Sequence, residues 1–414
     1  MVIVKLFKVL ISRPGCVVAM AIIGMAMAGL QSCSSGQIEV VADGEVAAVD
    51  GGLRPALNVY VENSGSMDGY VSPDANLSDA VYSYVSRLGE YVDTTRLFYI
   101  NSATIPYAGP LAGFIGDLTP EAFAAAGGNR SSSDMASMIC RVLEATSDST
   151  VTMFVSDCIL DLSTSGGVST SSQLNNRRIA ISNGVAAALK RVPTLGIVVM
   201  KMESPFTGRY FYPDGRTTHL DGAARPYYIW LAGDRYFIAR MLKCVPPINI
   251  VGNGFRELAG FTTETQVPFK VTNQSMNGSV VSSISGRYVV YLSADLGPTL
   301  QPSQVITSAE CYSTTSPTPG LKIERVGAVT NPESPYDVFL EISIEEKSRI
   351  DMERIVFCPP SLPEWVERSD DSGISDVEGR LDRTVGLGAL LQGVSEGFNN
   401  GRELTSFKFE IKRR

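Results

Sequence analysis

The clearest potential for chemistry lies in residues 62–67, which read ENSGSM. One carboxylate and two hydroxyls, from Glu62, Ser64 and Ser66, follow directly on an apolar stretch that is typical of a buried strand. Oxygen groups on one short turn suit Mg²⁺, which prefers octahedral oxygen coordination and usually retains some of its waters. The spacing therefore predicts a divalent-cation site, with Mg²⁺ as the first candidate, Mn²⁺ or Ca²⁺ as alternatives, and a site without cofactor as the remaining option.

This run resembles the first motif of the metal-ion-dependent adhesion site in von Willebrand factor A domains, Asp-x-Ser-x-Ser with Gly and Met beside the serines. The resemblance covers roughly residues 55–246 and implies a doubly wound, mostly parallel α/β sheet. The family's second motif, a Thr in a loop before a helix, corresponds to Ser133, with Ser132 as the alternative. Its third motif, an Asp after the next strand, corresponds to Asp157. The implied metal ligands are Glu62, Ser64, Ser66, Ser133 and Asp157.

Three positions depart from the family's pattern. Glu62 stands where the family has Asp, a Ser replaces Thr in the second motif, and Cys158 follows Asp157 where the family usually has Gly. The longer side chain of Glu62 moves its carboxylate outward in a compact ligand shell. A degenerate site therefore remains open, in which Ser64 and the second serine cap the following turn and Glu62 bonds to nearby backbone.

Catalytic groups are scarce in this chain. The single histidine, His219, lies in a segment predicted as a surface hairpin, and Ser64 lacks the flanking glycines of a G-x-S-x-G nucleophile. No P-loop or G-x-G-x-x-G segment connects a strand to a helix. These features predict no catalytic residue and favour a binding protein over an enzyme.

The first 33 residues carry a targeting signal. Lys5, Lys8 and Arg13 precede an uncharged apolar stretch, residues 15–30, which is short for a membrane-spanning helix and suits a signal peptide. The sequence then reads LQSC up to Cys33, which resembles the lipobox of bacterial lipoproteins. That resemblance implies a signal peptide over residues 1–32, acylation of Cys33 by chains such as palmitate, and attachment to a membrane of the envelope. The outer membrane is the first candidate, and the inner membrane is the alternative. An uncleaved anchor is the alternative.

The charge and cysteine content limit the classes of partner and of metal site that the chain can have. Lys plus Arg number 35 and Asp plus Glu number 43, which gives a net charge of -8 and argues against nucleic acid as a partner. Five cysteines follow Cys33, and their spacing matches neither a zinc site nor a dense disulfide framework. We expect buried thiols, with one disulfide between an unassigned pair as the alternative.

The pattern along the chain predicts two folded parts. Residues 33–54 are rich in Ser, Gly, Asp, Glu and Ala and are predicted to be a tether. Residues 55–246 alternate continuous apolar strands with helical spacing, which indicates an α/β domain whose ligand site lies outside the carboxyl ends of the strands. Residues 247–414 contain short alternating strands and one helix near residues 387–398, which predicts a β-sandwich-like domain.

Together these features predict a lipid-anchored envelope protein that holds a protein or polysaccharide partner through the A-like domain, with or without a cation. Two alternatives remain open. One is a metal-assisted envelope hydrolase, and the other is a structural subunit of an envelope assembly with a vestigial metal site.

Overall fold

The computed structural model describes residues 36–42, 54–131, 134–162, 169–212, 216–252, 254–315, 319–348, 352–371, 380–399 and 403–414. The predicted signal peptide 1–32, the lipidation residue Cys33 and the candidate ligand Ser133 lie outside these ranges. Across the described residues, no helix combines the length and the apolarity needed to cross a membrane.

The strands and helices are numbered separately in chain order. The strands are β1 (Gln37–Ala42), β2 (Ala56–Glu62), β3 (Thr94–Ile100), β4 (Thr104–Tyr107), β5 (Thr150–Ser156), β6 (Leu195–Phe211), β7 (Thr217–Asp234), β8 (Phe255–Thr262), β9 (Phe269–Thr272), β10 (Val280–Ser282), β11 (Arg287–Ala294), β12 (Tyr312–Thr314), β13 (Leu321–Ala328), β14 (Val338–Glu345), β15 (Met352–Phe357), β16 (Asp370–Asp371), β17 (Thr384–Val385) and β18 (Thr405–Arg413). The α-helices are α1 (Leu77–Gly89), α2 (Leu111–Gly116), α3 (Pro120–Ala125), α4 (Met135–Glu144), α5 (Thr170–Arg191), α6 (Arg235–Cys244), α7 (Ser303–Ile306), α8 (Glu364–Ser369) and α9 (Leu387–Gly397).

The central sheet has the strand order β4-β3-β2-β5-β7-β6-β8. Its middle is parallel, because β2 pairs in parallel with both β3 and β5. Strand β7 runs antiparallel between β5 and β6, and β4 and β8 are antiparallel edge strands. The mixed α/β class predicted from the sequence is confirmed, with the parallel pairing concentrated in the middle of the sheet.

The pairing of β6 with β7 differs from the parallel arrangement expected for two buried strands. These strands form one long antiparallel hairpin, in which Leu195 lies opposite Asp234 at one end and Phe211 opposite Thr217 at the other. Parallel neighbours need a long crossover connection, whereas the short link between these two strands permits only an antiparallel pair. The hairpin therefore inserts β7 into the sheet next to β5.

Helices cover both faces of this sheet. Helices α1, α2, α3 and α6 pack on one face, and α4, α5, α8 and α9 pack on the other. Helix α4 shows why: its buried residues recur at helical spacing, so one apolar stripe faces the strands. Because β8, α8 and α9 belong to this unit, the α/β part does not end at residue 246, as the sequence suggested, but draws on segments from the C-terminal half.

Two antiparallel sheets form the second unit. Their strand orders are β10-β1-β18-β15-β12 and β13-β14-β11-β9, and the buried residues between them form one apolar core. Strand β1 lies between β10 and β18, with Ile38 and Val40 buried. Residues 37–42, expected to be part of a tether, are therefore an integral strand, because their alternating apolar side chains complete the sandwich core.

Candidate functional site

The candidate site lies where two parallel neighbours end. Strand β2 ends at Glu62, and β5 ends one residue before Asp157, with Val61 opposite Val155 in the ladder. Equivalent ends of parallel strands meet at one edge of a sheet, so the two carboxylates come to the same edge. Glu62 is fully buried and Asp157 is 1% exposed, so both side chains are removed from solvent.

Ser156 links the two strand ends. Its hydroxyl donates to Oε2 of Glu62 at 2.5 Å, and it accepts from the backbone N–H of Cys158 at 2.8 Å. Strong hydrogen bonds are formed when an acceptor is ionised, and a buried carboxylate without such donors is costly. Ser156 thus fixes the side chain of Glu62 and the backbone after Asp157 together, a role that the sequence pattern did not reveal.

The two candidate serines lie on the turn after β2. The hydroxyls of Ser64 and Ser66 are 3.0 Å apart, and Ser64 precedes a 3₁₀ helix, Gly65–Val71. Strand β6 presses closely on this helix: a Cβ on Gly69 would lie 2.4 Å from the Phe206 ring, so only glycine fits there. Close packing of the β6 hairpin therefore holds both hydroxyls in position beside the carboxylates.

The loop at residues 127–131 lies against the serine turn. The Arg130 side chain donates from Nε to the carbonyl of Asn63 at 2.7 Å and from Nη2 to the carbonyl of Ser64 at 3.3 Å. Nη2 also forms an ion pair with Asp68, and the Gly65 N–H donates to the Arg130 carbonyl at 3.1 Å. Arg130 thus brings residues 127–131 against the serine turn, although Ser133 lies outside the described residues.

The carboxylate of Asp157 is the least satisfied group at the site. Oδ1 accepts from the backbone N–H of Ile159 at 3.1 Å, whereas Oδ2 is buried without a hydrogen-bond partner. Burial raises the pKa of Asp157, and this effect outweighs the lowering by the Ile159 N–H, the Ser66 hydroxyl and Arg225. Ser66 is close enough to affect that pKa but does not form a hydrogen bond with Oδ2.

Arg225 is a second buried charge next to Asp157. In the register of β5 with β7, Ser156 lies opposite Tyr228, which brings the start of the buried part of β7 alongside Asp157. The Arg225 guanidinium lies over the Tyr210 ring at 4.4 Å and donates from Nη1 to the carbonyl of Leu381 at 3.1 Å. Its Nε and Nη2 are buried without hydrogen-bond partners. Sequence reasoning missed this residue because β7 reaches the site through the antiparallel hairpin.

Cys158 has a backbone conformation that favours glycine. Its φ is +55°, and its buried thiol accepts a hydrogen bond from the Trp230 indole N–H at 3.3 Å. Left-handed backbone is strained for residues with a Cβ, and such strain is often found at functional sites. The packing of Cys158 against Trp230 holds the chain in this conformation just after Asp157.

The described ligand candidates thus converge, with Glu62, Ser64, Ser66 and Asp157 at one edge of the sheet. No cluster of three or more His, Cys, Asp or Glu side chains suited to a metal occurs within the ranges that the structure describes. A cation here would depend on carboxylate, hydroxyl and water oxygens. The unpartnered Oδ2 of Asp157 fits such a ligand, because a buried carboxylate oxygen requires a hydrogen-bond donor or a cation.

Other groups considered from the sequence lie elsewhere. His219 is exposed on β7, opposite Arg209 of β6, as expected for a surface histidine. Most of the aromatic residues near the hairpin are buried in the two apolar cores, among them Phe206, Tyr227 and Trp230. These buried aromatic side chains contribute to the core of the α/β unit.

Comparison of the chain with protein-family models, with curated proteins and with solved structures finds no match.

Proposed function

We propose that this protein is a lipid-anchored binding protein of the bacterial envelope that holds a protein or polysaccharide partner at the edge formed by β2 and β5. A divalent cation, Mg²⁺ first and otherwise Mn²⁺ or Ca²⁺, lies between the Asp157 carboxylate and the serine turn. The observation that carries this proposal is the buried Oδ2 of Asp157, which has no hydrogen-bond partner. An oxygen of the partner completes the shell, since such cations retain exchangeable coordination positions.

The strand arrangement supports the A-like part of this proposal. Parallel strands β3, β2 and β5 stand side by side with antiparallel β4 at the edge, and the serine turn directly follows β2. Two features differ from a simple doubly wound sheet: β7 is inserted beside β5, and a 3₁₀ helix, Gly65–Val71, begins directly after Ser64. Both bring the β6–β7 hairpin close to the site, where it contributes Arg225.

The lipid anchor at Cys33 is part of the proposal, and the position of β1 gives it a consequence. Only residues 34–36 separate Cys33 from β1, which starts at Gln37. An extended chain spans at most ~3.6 Å per residue, so the four steps from Cys33 to Gln37 reach about 14 Å. An acylated Cys33 would therefore hold the β-sandwich close to the membrane surface. Mass spectrometry of the mature N-terminus tests this, because an unmodified peptide joining Ser32 to Cys33 in the wild-type protein contradicts it.

Thermal melting with and without a cation tests the site. A ligand that binds only the folded state, at a hundred times its Kd, adds about 2.7 kcal/mol of stability. We expect millimolar Mg²⁺ or Mn²⁺ to raise the melting temperature of the chelator-treated wild type by several degrees, and Asp157→Ala to abolish the rise. Asp148→Ala is the matched control, since this exposed carboxylate precedes β5 at the opposite end of the strand. An unchanged wild-type melt would refute the cation site.

One observation favours the alternative of a structural subunit with a vestigial site. Arg130 donates to two carbonyls of the serine turn and pairs with Asp68, and Arg225 lies near Asp157. These guanidinium groups supply positive charge where a cation would otherwise do so. In that case cations leave the melting temperature unchanged, whereas Arg130→Gln lowers it, because the turn loses its only described ion pair.

A further inference from the structure

Two cysteines face each other across neighbouring strands of the β-sandwich. The backbone N–H of Cys358 donates to the carbonyl of Cys311 at 2.8 Å, and the adjacent residues Tyr312 and Phe357 are partners in the β12–β15 ladder. Residues directly opposite each other in an antiparallel pair have Cα atoms about 4.5 to 5.5 Å apart. Disulfides require Cα separations of about 4.4 to 6.8 Å, and the separation expected for opposite residues lies within that range.

The side chains also lie on the same side. Both thiols line one cleft of about 860 Å³, together with Leu258 and Trp365, at the junction of the α/β unit and the sandwich. Cys358 is exposed and Cys311 is 7% exposed. Cys358 is close enough to Cys311 to add to the raised pKa of that thiol, which is caused mainly by burial. The exposed thiol can therefore be reached by a reagent, and the buried one lies beside it.

We infer that Cys311 and Cys358 form a disulfide when the protein meets a disulfide-bonded oxidant. The thiolate of Cys358 attacks one sulfur of the oxidant, which forms a mixed disulfide and releases the first thiolate. The Cys311 thiolate then attacks the sulfur of Cys358 and expels the second thiolate. Two protein thiols are oxidised, one oxidant disulfide is reduced to two thiols, and the two protons pass to the released thiolates.

The remaining cysteines of the folded part do not compete for this bond. Cys158 is fully buried beside Trp230, Cys140 lies in α4 near the carbonyl of Ala180, and Cys244 is exposed at the end of α6. None of them is a ladder neighbour of another cysteine among the described pairings. A single disulfide then leaves three free thiols beyond Cys33, which accounts for the odd number of cysteines in that part of the chain.

The disulfide would stabilise β12, an edge strand of the β-sandwich that forms few backbone pairs. Strand β12 has only three residues and pairs, among the described strands, with β15 alone. A disulfide at its start closes a loop over residues 312–357 and restricts the unfolded chain, which is the main source of disulfide stabilisation in the entropic description. It also fixes the wall of the cleft, because both cysteines line it.

Peptide mapping tests the pair directly. Full-length protein, purified in detergent from its own membranes, is alkylated without reduction and digested with trypsin. We expect peptides 288–322 and 355–368, which contain Cys311 and Cys358, to be found joined and to separate after reduction. The inference rests on the proposed envelope location only for where the bond forms in the cell. For that reason reduced protein is also incubated with oxidised glutathione, which should join the same peptides wherever the protein resides.

Variants measure the effect of the bond. Reduction should lower the melting temperature of the wild type by about 5–10 °C. Cys358→Ser should melt like the reduced wild type and be insensitive to reductant. Cys244→Ser is the matched control and should behave like the wild type under both conditions. Separately alkylated Cys311 and Cys358, both in membrane-derived protein and after treatment with oxidised glutathione, would overturn the inference, whatever the fate of Cys33.

Discussion

The hydroxyl of Ser156 donates a 2.5 Å hydrogen bond to Oε2 of Glu62, which joins the last residues of β5 and β2. This bond gives the long side chain of Glu62 a fixed position at the end of β2. The longer side chain reaches toward the neighbouring strand and is held by a residue of that strand. Glu62 is thus matched to Ser156, and the two positions are expected to depend on each other.

We predict that Glu62→Asp lowers the free energy of unfolding by about 1–3 kcal/mol, because the shorter side chain leaves buried polar groups unsatisfied. Ser156→Ala removes the same bond from the other side. In a double-mutant cycle followed by urea denaturation, the loss in the double variant should be smaller than the sum of the two single losses. Strictly additive losses would mean that the two side chains act independently.

The same substitution distinguishes two versions of the cation site. If the site is an enlarged form of the adhesion-site motif that residues 62–66 resemble, Glu62→Asp should bind Mg²⁺ at least as well as the wild type. Because Ser156 fixes Glu62, we expect the opposite, a smaller cation-induced rise in melting temperature than in the wild type. An equal or larger rise in Glu62→Asp would contradict a site built around this glutamate.

Asp157→Asn tests the electrostatics of the buried carboxylate. Burial raises the pKa of Asp157 even with Arg225 nearby, so ionisation at neutral pH opposes folding. This penalty disappears as the pH falls through the raised pKa of the folded state to 3.8, the ordinary pKa of an Asp side chain in water. Without cation, Asp157→Asn should therefore melt at or above the wild type at pH 7, and the difference should shrink at lower pH.

A bound cation should reverse the order of the melting temperatures of the wild type and Asp157→Asn. Mg²⁺ or Mn²⁺ should stabilise the wild type at pH 7 but not Asp157→Asn, since the amide carries no charge. Lowering the pH should weaken the effect in the wild type, because protons compete with the cation for the carboxylate. Melting curves of both proteins across this pH range, with and without cation, measure all four cases. A wild type that is more stable than Asp157→Asn without cation at pH 7 would show that Arg225 outweighs burial.

Local patterns in the sequence were sufficient for part of the site and fold. The apolar strand before Glu62, the serine spacing and the strand before Asp157 are each readable within about ten residues, and parallel pairing then brings their ends together. Arg225 could not be assigned, because its place beside Asp157 depends on the register of β7 with β5. The role of Ser156 depends on the pairing of β5 with β2, which brings its hydroxyl to Glu62. Strand β1 was missed since its partners, β10 and β18, lie more than 200 residues away.

Cys158 offers a test of backbone strain at the site. Its φ of +55° is unfavourable for a residue with a Cβ, by roughly 1–2 kcal/mol relative to glycine. Both Cys158→Ala and Cys158→Gly remove the thiol that contacts Trp230, but only the glycine relieves the strain. We expect Cys158→Gly to be more stable than Cys158→Ala by about 0.5–1 kcal/mol in urea denaturation, after the greater flexibility of unfolded glycine is included. The reverse order would mean that this position is not strained.

Adjacent valines in β1 test whether the segment expected to be a tether is part of the fold. Val40 is 1% exposed in the sandwich core, whereas its neighbour Val41 is 41% exposed on the outer face. Val40→Ala removes two buried methyl groups and should lower the free energy of unfolding by about 2 kcal/mol. Val41→Ala makes the same change in strand propensity without the cavity and should stay within about 0.5 kcal/mol of the wild type. Urea denaturation of the full chain, followed by tryptophan fluorescence and circular dichroism, compares them. A flexible tether predicts that neither substitution matters, and equal losses would mean that β1 is present but in another register, because a shift by one residue exchanges the two faces.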